Sequence, residues 1–149
     1  MTTNWQAILD TKPEDTERPP PTPTGNYLGI ITKREFREVG EKKTPAVTYS
    51  VKLVSPVADV DAQALAAVGG MEKVTTREFK LDMYMTEDSA WRHREFLEKT
   101  LKINFGGRGW MPCIDEAVNK QLICHISHTP NKKKPTEPPF ANIDDTGPV

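Results

Sequence analysis

Between Lys33 and Lys43 the chain reads KREFREVGEKK, and an aromatic ring stands there among cations: Lys33, Arg34, Phe36 and Arg37, then Lys42 and Lys43. This mixture suits a single-stranded nucleic acid, because cations follow the phosphates while flat rings stack on the bases. Tyr49 and Tyr84 lie on adjoining predicted strands and offer two further rings. Arg108 and Trp110 form a second cation-and-ring pair in the glycine-rich run FGGRGW, and Lys132, Lys133 and Lys134 form a third basic cluster near the end. Glu35, Glu38 and Glu41 are interspersed in the first cluster, so a solvated hairpin that neutralises its own charge is the competing reading. Trp110 fits a stacking role and a place at the edge of a core.

Other chemistries find no support. The glycines of GGRGW follow a predicted helix rather than a strand and no GxxxxGK[ST] occurs, so the nucleotide-binding fingerprints fail on context. Cys113, Cys124, His125 and His128 match no paired zinc spacing, and Cys124 and His125 are strand neighbours that point to opposite faces. His93, on a charged helix, is expected to be solvated. No nucleophile elbow, HExxH or kinase-type set is present, which predicts a protein without catalytic activity or cofactor. With 20 basic and 21 acidic residues the formal charge is −1, which rules out a polyanion binder that works by overall charge alone. Two cysteines make no disulfide framework, and no apolar run approaches a membrane span or signal-peptide core. The expectation is a soluble protein of a reducing compartment.

The elements that must position these residues follow from hydrophobic period. Tyr27, Gly29 and Ile31 alternate with Leu28, Ile30 and Thr32 in a first strand, and the charged run after it reads as a hairpin tip. Val47, Tyr49, Val51 and Leu53 mark a second strand, ended by Ser55 and Pro56. From Ala58 to Gly70 a short helix is predicted, capped by Asp59 or Asp61 and stopped by Gly69 and Gly70. Phe79, Leu81, Met83 and Met85 share one face of a third strand. Thr86 then caps a helix whose stripe is Ala90, Leu97 and Leu101, with Trp91 and Phe96 on its flanks. Ile114, Ala117 and Val118 suggest a brief second helix, Gln121 to His128 a fourth strand, and Phe140 to Ile143 a short fifth. Thirteen prolines gather mainly at the two ends. Residues 1–24 therefore read as a proline-rich arm with one apolar patch at Trp5, Ala7, Ile8 and Leu9, residues 25–143 as the domain, and residues 144–149 as a short acidic tail.

The predicted class is mainly β with one or two helices: a five-stranded OB-fold-like barrel with a helix between strands 3 and 4 and an extended N-terminal arm. In such a fold the first-to-second and fourth-to-fifth loops frame a nucleic-acid cleft, and the basic runs at Lys33 to Lys43 and Lys132 to Lys134 would be those loops. The segments WQAILD, TGNYLGII, KKTPAVTYSVKL, DVDAQAL and TEDSAWRHREFLEKTLKI together resemble small phage-encoded proteins related to OB-fold single-stranded DNA-binding proteins of phage replication and recombination. The similarity spans roughly Trp5 to Ile143. It implies a non-catalytic protein of the host cytoplasm that binds single-stranded DNA with little sequence preference, beside phage replication or recombination proteins. The acidic end IDDTGPV lacks the hydrophobic tip through which bacterial-type relatives recruit partners. The alternative is a phage structural or assembly protein, located in the virion, that uses the same barrel to bind protein and forms homo-oligomers through its arm.

Overall fold

The computed structural model describes residues 4–13, 20–134, 136 and 138–149. Most of the predicted proline-rich run, residues 14–19, lies outside them. Five strands, β1 (Gly25–Val39), β2 (Thr44–Ala58), β3 (Glu78–Tyr84), β4 (Gln121–Thr129) and β5 (Phe140–Gly147), form one antiparallel sheet in the order β3-β2-β1-β4-β5. The sheet is open, with β3 and β5 as its edges.

Strands β1 (Gly25–Val39) and β2 (Thr44–Ala58) build a long ribbon. Its turn is only Gly40 to Lys43, where Lys43 N–H donates to Gly40 O at 3.1 Å and both residues have positive φ. The expected charged tip is therefore mostly strand: Arg34 pairs with Tyr49, Phe36 with Val47 and Arg37 with Ala46. Charges on both faces had hidden the period of two. β2 likewise runs past Ser55 and Pro56, since β3 has ended opposite Lys52 and a proline there costs no sheet hydrogen bond on that side. At Gly29 a Cβ would stand 2.9 Å from Cys124 Sγ and 3.0 Å from Val51 Cγ1, so β1 and β4 pack closely there only because the position is glycine.

The excursion after β2 is two short helices rather than one, α2 (Ala62–Ala67) and α3 (Gly70–Val74). Asp61 caps α2 by accepting from Gln63 N–H at 3.2 Å. Gly69, at φ 101°, turns the chain instead of ending the helical region, and α3 delivers Val74 to the core. β3 (Glu78–Tyr84) then crosses the edge of the sheet with Phe79 buried. The next helix, α4 (Ala90–Glu95), starts later than its expected Thr86 cap: Ser89 holds the cap position, and Thr86 O accepts from Ser89 N–H and Ala90 N–H in the preceding turn. α4 continues into a π-helical segment (Phe96–Thr100). His93, Phe96, Leu97 and Thr100 are buried at spacings of three and four, so they share one face.

Helix α5 (Trp110–Ala117) and strand β4 (Gln121–Thr129) follow, with Leu122, Cys124 and Ile126 buried in alternation. β5 (Phe140–Gly147) is twice the expected length, and Asp144 and Asp145 belong to it rather than to a tail. The core lies between the sheet face carrying Tyr27, Ile31, Tyr49, Val51 and Leu53 and the helical layer carrying Phe96, Leu97, Leu101 and Ile114. Ahead of β1, Thr22 and Pro23 are held against the sheet: Arg77 Nη1 donates to Thr22 Oγ1 at 3.1 Å, and the Tyr27 phenol donates to Pro23 O at 2.7 Å. Helix α1 (Trp5–Leu9) forms, capped by Asn4, but buries none of its residues. Among the described residues no helix is long and apolar enough to cross a membrane.

Candidate nucleic-acid interface

A register shift between Ile31 and Lys33 brings Arg34 and Phe36 opposite the buried Tyr49 and Val47, on the core-side face of β1, beyond the point where β4 stops pairing at Ile30. Their face is met by α5. Arg34 donates to Asp115 Oδ1 from Nε at 3.0 Å and from Nη2 at 2.8 Å, and its guanidinium lies 4.9 Å from the centroid of the Phe36 ring. One side chain thus ties the helix to the ribbon and leaves Phe36 flanking a groove of about 540 Å³. Phe36, Pro45, Met85, Trp110 and Met111 supply its apolar walls, Ala46, Val47 and Ile114 its floor, and Arg37 and Glu38 its border. Phe36 is 49% exposed and Trp110 41%, so both rings offer a face to an occupant.

The Trp110 ring is held from behind. It stacks on His93 with centroids 5.1 Å apart and planes inclined by 28°. His93 is fully buried and bonded on both nitrogens, to the Tyr49 hydroxyl at 2.5 Å and to Met85 Sδ at 3.0 Å. Burial pushes the Tyr49 phenol well above its ordinary range and lowers His93 to about 4. A phenol that keeps its proton donates to Nε2, and the neutral ring then turns its Nδ1–H toward the Met85 sulfur. The groove wall therefore rests on an uncharged buried triad.

Several expectations are corrected here. Tyr49, a stacking candidate by type, is fully buried and reaches no base; its role is to hold His93. His93, expected in solvent, is a core residue, and its register with Phe96, Leu97 and Thr100 was the signal that marked it so. Tyr84 is exposed on the outer face of β3 and does not line the groove. Lys33 shares that outer face and lies 3.6 Å from Glu78, which Lys80 also approaches at 2.9 Å. Hydrogen bonds from Ser50 and Lys80 hold the Glu78 carboxyl down to about 2. Arg108 is engaged by Asn104 O, Phe105 O and Glu116, so it braces the loop before α5 on the far side of Trp110.

Lys42 and Lys43 occupy the ribbon turn, at the groove's end of β1, and neither has an ion-pair partner among the described residues. Lys132, Lys133 and Lys134 follow β4, whose Ile126 is paired with Gly25. The two basic turns thus belong to opposite ends of β1, although one cleft between them was expected. The groove gathers Phe36, Arg37 and Trp110, with Arg34 behind Phe36 and Lys42 and Lys43 at the turn beyond. Met85, Met111 and Asp115 complete it, and nothing in their types had pointed there. Among the described residues no group of histidine, cysteine, aspartate or glutamate is placed to hold a metal ion. Neither a protein-family model nor a curated protein matches this chain.

Proposed function

We infer that this chain is a non-catalytic protein that binds single-stranded DNA with little sequence preference, and that the groove beside α5 is where bases stack. The observation that carries the reading is the convergence of Phe36 and Trp110, both half exposed, on one apolar groove whose border carries Arg37 and Glu38. Two rings with free faces give sequence-tolerant stacking, and Arg37, Lys42 and Lys43 give a backbone its countercharge. Strand order supports an OB-fold assignment: β3-β2-β1-β4-β5, with α4 between β3 and β4, is the arrangement that a β3–β5 pairing would close into that barrel. The resemblance to phage replication and recombination proteins agrees, and with it comes a place in the host cytoplasm.

Titrating a labelled oligothymidine by fluorescence anisotropy tests the site. Each of Phe36→Ala and Trp110→Ala is expected to weaken binding by the equivalent of about 1–3 kcal/mol, roughly 5- to 150-fold. Tyr49→Phe, which removes only a buried hydroxyl, should leave the rings available and change affinity far less. Wild-type affinity in both groove variants would contradict the assignment.

A second reading draws on α1, whose Trp5, Ile8 and Leu9 are exposed together. An apolar helix face left exposed among the described residues suits a phage assembly or virion protein that contacts its neighbours.

A further inference from the structure

Four residues of the run FGGRGW wall a second, smaller pocket: Phe105, Arg108, Gly109 and Trp110. Arg94 joins them from α4, Leu97 from the π-helical segment and Cys113 from α5. The pocket holds about 160 Å³ and adjoins the larger groove, since Trp110 lines both. A cavity of roughly 150 Å³ is enough for a benzene ring. Leu97 and Cys113 are buried, so the pocket reaches down to apolar core residues.

Its cations are held by the same loop. Gly106 and Gly107 both have positive φ, 53° and 76°, and the turn they make brings Arg108 back over the loop. The Arg108 backbone N–H donates to Phe105 O at 2.8 Å, its Nε to the same oxygen at 3.2 Å and its Nη2 to Asn104 O at 2.5 Å. With Nη1 on Glu116 at 3.2 Å, three of the five guanidinium N–H groups are engaged and two remain. Arg108 is thus fixed in place with donors to spare. Arg94 is less committed: its Nε lies 3.8 Å from Glu98, beyond hydrogen-bond length, and its guanidinium makes no hydrogen bond among the described residues. Two guanidinium groups therefore line the pocket and no carboxylate does. Glu98 and Glu116 balance their charge from outside the lining, which suits a ligand with one negative charge better than a dianion.

We propose that this pocket binds a small organic monoanion, a single-ring carboxylate, with its ring against Leu97, Phe105 and Trp110 and its carboxylate on Arg94 and the two remaining N–H groups of Arg108. The apolar lining supplies affinity for the ring, and the two guanidinium groups supply selectivity for the charge.

The test uses no nucleic acid, so it stands or falls apart from the function inferred above. Isotope-labelled full-length protein is titrated with sodium benzoate at constant ionic strength and followed by amide NMR. Saturable shifts at the Arg108 and Gly109 amides and at the Trp110 indole N–H, at millimolar concentration or below, are the expected result. Benzyl alcohol, which keeps the ring but lacks the charge, should bind about tenfold more weakly. Arg94→Gln loses only an exposed ion pair, so it folds; it should weaken benzoate about tenfold and leave benzyl alcohol unchanged. Gly109→Leu narrows the pocket and also folds, because a Cβ there meets nothing within 4 Å and the φ of −75° suits any residue; it should abolish binding of both probes. No saturable shift, shifts centred instead on Phe36 and Met85 in the larger groove, equal affinity for the two probes, or benzoate binding unchanged by either variant would each overturn the proposal.

Discussion

His93 shows how a single side chain can set both a site and a pH dependence. In the folded protein burial holds it neutral down to about 4, whereas an unfolded chain would protonate it near 6.5. Between those values the unfolded state binds the additional proton, so stability declines as pH falls from about 6.5 to about 4, then levels off for this group. The linkage relation converts that difference to about 3 kcal/mol. Urea unfolding midpoints between neutral pH and about pH 4 should therefore fall more steeply for wild type than for His93→Gln, and parallel profiles would contradict the neutral buried assignment. Glu78 titrates lower: its carboxyl, held at about 2, loses its contribution only as pH drops from about 4.5 toward that value. Arg34 is a different case, because its ion pair with Asp115 is partly exposed, the two side chains being 33% and 51% accessible. Asp115→Ala should cost only about 0.2–1 kcal/mol of stability in thermal or denaturant unfolding, with any larger loss appearing in the order of the Phe36 ring.

At the scale of elements, the ribbon of β1 and β2 does most of the positioning. It carries Phe36 and Arg37 beyond the last residue paired with β4, where α5 can face the ribbon, and its turn presents Lys42 and Lys43. Charge reversal of those two lysines should weaken oligothymidine binding and flatten its salt dependence. If Arg37, Lys42 and Lys43 each neutralise one phosphate, the slope of log affinity against log salt is about −2 for wild type and about −0.7 for the reversed turn. An unchanged slope would remove the turn from the interface. Where the ribbon joins β4, Gly29→Ala forces a methyl into contact with Cys124 and Val51 and should destabilise the fold by about 1–3 kcal/mol in a denaturant titration. All five strands were legible in the sequence: Tyr27 to Ile31, Val47 to Leu53, Phe79 to Met83 and Leu122 to Ile126 alternate, and Phe140 to Ile143 marks the start of the fifth. Their ends were not. From Arg34 to Val39 and from Asp144 to Gly147 the residues are paired by backbone hydrogen bonds but carry no apolar face to reveal it, so strand reads as tip or tail.

Across the whole molecule the site was half legible. Phe36, Arg37 and Trp110 stood out as rings and cations. That they meet depends on α5 folding back to β1 through Arg34 and Asp115, a pairing 81 residues apart in sequence that no local pattern contains. Tyr49 failed as a candidate for the opposite reason: an aromatic in an alternating strand fits a core and a stacking platform equally by type, and only the packing of His93 against it decides. The basic run Lys132 to Lys134 belongs to the other end of β1, and pairing registers rather than composition revealed the separation. What emerges is an open five-stranded sheet with an aromatic groove at the end of its longest ribbon, and a short apolar helix that buries none of its residues.

The most direct measurement is the anisotropy of a labelled oligothymidine titrated with purified full-length protein at low and at moderate salt, beside a duplex of the same length. Binding at micromolar concentration or tighter that weakens as salt rises, and that the duplex does not match, is the expected result. Absence of binding at low salt, where attraction to phosphates is strongest, or equal binding to the duplex would contradict a groove built for unpaired bases.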